Sequence, residues 1–166
     1  MQILNYYYFY TPKIISAMHS QTLAYFFERD LLKLKEELNL YKNEGDLWVV
    51  KKDISNSAGN LCLHLIGNLN HFIGATLGNT GYVRTREVEF AAKDIPRDKL
   101  LADIDAVTGI VKTTLGTLTA DDFAKDFPLR MQDRVVTTEQ MLLHLLMHLS
   151  YHLGQINYHR RLIAAG

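Results

Sequence analysis

Three histidines, His144, His148 and His152, follow one another at steps of four in MLLHLLMHLSYHLGQINYHRRLI, the segment from Met141 to Ile163. On an α-helix a step of four advances about 40° past a full turn and rises about 6 Å, so the three rings share one face. Two imidazoles one turn apart can chelate a single ion. A third imidazole from a facing element completes a three-nitrogen set and leaves a position for water or substrate, the pattern of catalytic zinc sites. Imidazole also suits nickel, copper and iron, so spacing alone does not select the metal.

A second segment, NLCLHLIGNLNHFIGATL, supplies facing candidates. Asn60, His64, Asn68 and His71 fall within about 80° on a helical projection. No Asp, Glu, Lys or Arg occurs from Ile54 to Val83, or between Glu139 and Arg160. Solvated helix faces ordinarily carry charge. These two stripes carry Asn, His, Gln and Tyr, which tolerate burial when hydrogen-bonded or metal-bound. Two readings stand: the stripes face water or another subunit, or they face each other around a metal. A non-covalent haem with axial histidines is a further option. A di-iron site lacks its inward Glu and Glu-x-x-His pattern.

Four long helices must position these groups. From about Ile14 to Tyr41, Leu23, Phe26, Phe27, Leu31, Leu34, Leu38 and Tyr41 recur at threes and fours, opposite a charged face. Leu47 to Lys52, which holds the only tryptophan, Trp48, reads as extended loop. Ser55, Asn56 and Ser57 offer capping oxygens to a second helix that runs to about Leu77. Gly67 and Gly74 inside it imply close backbone approach. Gly78 to Gly81 breaks that helix, and Tyr82 to Phe90 reads as a long loop with Arg84, Arg86, Glu87 and Glu89. Pro96 opens a third helix with a buried stripe from Leu100 to Leu115. Thr119 to Val136 is a second long connection. Thr137 then caps the last helix, with Gln140 completing a capping box. An antiparallel four-helix bundle is the simplest way to bury these faces.

The chain has 166 residues, enough for one domain, with 18 basic and 18 acidic residues and no net charge. That balance argues against a nucleic-acid-binding surface. A single cysteine, Cys62, rules out an intrachain disulfide and fits a reducing, cytoplasmic location. At two residues from His64 it points to the opposite helix face and reads as core. The start, MQILNYYYFYTPKII, lacks the basic opening of a signal peptide, and no apolar run suits a membrane span. Residues 1–12 read as an aromatic extension and 13–166 as the bundle domain.

NSAGNLCLHLIGNLNHFIGATLGNTGYVRTREVEF and LLHLLMHLSYHLGQINYHRR resemble the DinB-like group of metal-dependent bundle proteins. The likeness extends from about Leu23 onward. It implies an up-down-down-up four-helix bundle, often dimeric, with one histidine ligand from the second helix and two from the last. Matched onto this chain, the ligands are His64, His148 and His152. Similar proteins carry Arg-Gly-Gln-Ile after the last of these; here Leu153, Gly154, Gln155 and Ile156 stand there. Zinc or nickel is the implied ion, and transfer of a low-molecular-weight thiol the implied chemistry. Metal-assisted hydrolysis and a non-catalytic metal- or ligand-binding role are the alternatives. Asn60, Asn68, His71, His144, Gln155 and Arg84 are pocket candidates. Arg84 would either grip an anionic group or pair with Glu87 and Glu89. Neither histidine stripe contains a carboxylate to act as general base.

Overall fold

The computed structural model describes residues 12–51 and 54–164. The aromatic extension expected at residues 1–12 lies outside them, apart from Pro12. Regular structure among the described residues is helical. It comprises α1 (Pro12–Asn39), α2 (Ala58–Leu69), α3 (Arg86–Ala91), α4 (Arg97–Thr117), α5 (Ala120–Ala124) and α6 (Thr138–Ala164). None of these helices is long and apolar enough to cross a membrane.

The helical periodicity translates directly into the core. Phe27, Leu31, Leu34 and Leu38 of α1 are fully buried. They meet Leu100, Ile104, Val107, Val111 and Leu115 of α4, and Met141, Leu142, Leu145, Leu149 and Ile156 of α6. Helix α1 packs on α4 and α6, and α2 packs on the same two helices. Ion pairs Glu28–Lys112 and Lys35–Asp105 show α1 and α4 running in opposite directions. Hydrogen bonds from Ser150 to Asp30 and from Asn157 to Glu37 show α1 and α6 running in the same direction. Gly74 lies against Ile110, and a Cβ on Gly78 would come within 2.4 Å of Thr114 Oγ1. The close approach expected at Gly74 is therefore real.

Local sequence sets the helix ends. Ser57 caps α2: its Oγ accepts from Asn60 N at 3.2 Å and donates to Asn60 Oδ1 at 2.6 Å. Thr137 and Gln140 form the expected reciprocal box, with Thr137 N donating to Gln140 Oε1 at 3.0 Å.

Four expectations need correction. Leu47 and Trp48, expected at the start of an extended loop running to Lys52, instead end a 3-10 turn, Glu44–Trp48, in which both are buried, and Val49 is extended. The second helix does not continue regularly to Leu77: Asn70–Ala75 is a π turn, with Thr76 N donating to His71 O at 3.0 Å. The segment expected as a loop around Glu87 forms α3. The connection after Thr119 contains α5, closed by a capping box with Asp122.

Candidate metal centre

His64 sits in the middle of α2 and is buried. His148 and His152 sit one turn apart on α6, on the face turned toward α2. His148 Nε2 lies 3.2 Å from His64 Nε2 and 3.0 Å from His152 Nε2. One nitrogen from each residue thus belongs to a single group, all within 4.8 Å of one another. Ligands held about 2.0–2.1 Å from a tetrahedral ion sit about 3.3 Å apart, so the closest spacings fit a common ion.

The outer nitrogens explain which atoms converge. His64 Nδ1 lies 2.9 Å from Glu89 Oε2, an acceptor only, so Nδ1 carries the hydrogen and Nε2 is bare. Gln155 Oε1 lies 2.6 Å from His152 Nδ1 and imposes the same tautomer there. His148 Nε2 therefore faces two lone pairs. It can donate one hydrogen to one of them, or bring a third lone pair to the same point. His148 Nδ1 is buried without a partner, so no acceptor there holds the ring in one tautomer. This donor set fits a divalent transition metal.

Burial keeps the trio uncharged. It lowers the pKa of His148 to about 4, helped by the neighbouring His152, His64 and His144 rings and by Arg84. Burial also lowers His64, partly offset by Glu89. It lowers His152, partly offset by the bond to Gln155. Burial pushes the Glu89 carboxyl up, but the bonds from Arg84 and His64 outweigh it and leave its pKa below the ordinary value.

The other candidates divide. Gln155 touches the trio through His152, and its Nε2 donates to the Tyr151 hydroxyl at 3.3 Å. His144 stacks beside His148 with ring centroids 6.3 Å apart. Arg84 is not free to grip an anion: its Nε and Nη2 hold the two oxygens of Glu89 at 2.7 and 2.8 Å. Asn60 donates to the backbone oxygens of Glu89 and Ala92, so it anchors α3. Asn68 is buried, with Oδ1 unpartnered. His71 packs edge-on against Phe72. Cys62 is core, as expected, and burial pushes its thiol pKa up.

Glu89 is the residue that sequence reasoning missed as part of the site. It lies in neither histidine stripe and arrives from α3. The available signal was indirect: Gly67 sits on α2 where a Cβ would come within 2.1 Å of Glu89 Oε1.

Residues 29–166, well over half of the chain, match a family described as "Protein of unknown function (DUF1572)". A comparison with curated proteins finds no match.

Proposed function

We propose, from the premise that this chain belongs to the DUF1572 family, that it is a metalloenzyme whose His64, His148 and His152 hold one divalent ion, zinc or nickel. The reaction class we assign is transfer of a low-molecular-weight thiol to a small electrophile. The convergence of three imidazole nitrogens, two of them bared by Glu89 and Gln155, carries the reading. A bound ion would supply Lewis acidity, easing loss of a proton from a thiol or water brought to it.

The chain's own groups favour the thiol over hydrolysis. Glu89, the carboxylate nearest the trio among the described contacts, is taken up by Arg84 and by the outer nitrogen of His64. It is not placed to take a proton from an attacking water. A thiol ionised at the ion needs no protein base. Neutral imidazoles, His64 buried and His148 and His152 half-buried, keep their lone pairs at neutral pH, and Gln155 with Tyr151 borders the same edge.

The helix directions support an up-down-down-up four-helix bundle formed by α1, α2, α4 and α6, and the likeness to DinB-like proteins agrees with it. A homodimer is part of the reading. Leu143, Met147, Tyr151, Tyr158 and Leu162 are exposed on α6 and span about 100° of its surface. Such a row suits a second copy.

The test is elemental analysis of freshly purified protein together with thiol-transfer assays on a panel of electrophiles. The expected result is about one zinc or nickel per chain, with metal and activity both lost in His64→Ala, His148→Ala and His152→Ala. A His148→Ala variant that keeps both ends the proposal.

A further inference from the structure

The contacts around Glu89 are more elaborate than a surface ion pair needs. Its carboxylate is buried beside a buried histidine. Three donors share its two oxygens: Arg84 Nε, Arg84 Nη2 and His64 Nδ1. Space for it exists only because residue 67 is glycine, since a Cβ there would meet Oε1 at 2.1 Å. Its backbone is pinned too. Asn60 Nδ2 donates to Glu89 O at 3.0 Å and to Ala92 O at 2.8 Å, and Ser57 holds the other end of that amide. Helix α3 has only six residues, too few to hold itself without such ties.

We infer that Glu89, fixed by Arg84 and admitted by Gly67, is a positioning residue that locks His64 in the tautomer able to bind metal, so that α3 sets the metal affinity of a cluster on α2 and α6. The inference rests on the metal reading of the trio. Its logic is chemical: a carboxylate only accepts, so the ring facing it must present N–H through Nδ1 and leave Nε2 bare. Arg84 supplies the positive charge that makes an ionised carboxylate tolerable at this depth. Arg84 Nη2 also lies 3.2 Å from His64 Nδ1, but it cannot donate there while Nδ1 carries its own hydrogen. Partners of this kind hold ligand histidines in orientation, and losing one typically costs about 10–100-fold in metal affinity.

The test combines two measurements on the full-length protein. Nitrogen-15 NMR of the metal-free protein at neutral pH reads the His64 tautomer, and competition against a chromophoric chelator reads zinc affinity. Wild type is expected to show His64 protonated on Nδ1. Glu89→Ala and Gly67→Ala are expected to shift the ring toward the Nε2–H form and to weaken zinc binding by about 10–100-fold. Glu89→Gln, whose amide oxygen still accepts, is expected to fall between wild type and Glu89→Ala. The inference is overturned by a wild-type His64 protonated on Nε2, or by a folded Glu89→Ala variant that binds zinc within twofold of wild type. If neither variant folds, the wild-type tautomer alone decides. A wild type that shows the Nδ1–H ring yet takes up neither zinc nor nickel instead overturns the metal reading, and the role of Glu89 in orienting His64 stands.

Discussion

At the scale of the residue, the trio trades acid stability for readiness to bind. The ordinary histidine pKa is 6.5, and burial lowers all three in the folded protein, His148 to about 4. Between those two values the unfolded chain binds protons that the folded chain refuses. The stability that depends on the neutral rings is therefore complete above about pH 6.5 and drains away as pH falls toward about 4. Glu89 acts in the same direction, because its lowered pKa adds stability that disappears when the carboxylate is protonated. We expect the metal-free protein to show a steadily falling urea midpoint over that interval, with a shallower fall in His148→Gln. A midpoint that stays level from pH 7 to pH 5 would contradict this.

At the scale of the element, the start of α2 is the piece on which the site hangs. Ser57 caps the helix and aims the Asn60 amide, which in turn holds the end of α3 behind Glu89. Ser57→Ala removes the cap and leaves Asn60 Oδ1 without its buried donor. The expected loss is about 1–2 kcal/mol, read as a drop in urea midpoint. A change within about 0.3 kcal/mol would show that the cap is replaced by water. What could be read from sequence follows the same local logic. The capping residues, the apolar stripes and the shared faces of the histidines depend on neighbours within two turns, so spacing reveals them. Which three histidines meet across α2 and α6 comes from the resemblance to DinB-like proteins, since His64 and His148 are 84 positions apart. Spacing does not reveal Glu89, α3 or the π turn. The burial of Glu89 is decided by Gly67 on another helix, and a six-residue helix shows no periodic stripe. Trp48 likewise turned inward because of what it packs on, which its own neighbours do not announce.

At the scale of the whole molecule, the trio joins α2 to α6, so an ion shared between them should stabilise the entire fold. At a metal concentration a hundred times the dissociation constant, binding adds about 2.7 kcal/mol. For a chain of this size that raises Tm by roughly 5–10 °C. We expect zinc or nickel to produce such a rise in wild type, a strong chelator to reverse it, and His152→Ala to abolish it. A rise under 1 °C in wild type would contradict the expectation. The trio also has a consequence for how the protein is made. His64 and His148 lie 84 positions apart. While a nascent chain is still short of His148, it offers an incoming ion a single imidazole from this set. An ion held by all three would therefore load only after translation has passed the last helix, and its supply would bear on the finished protein rather than on its emergence from the ribosome.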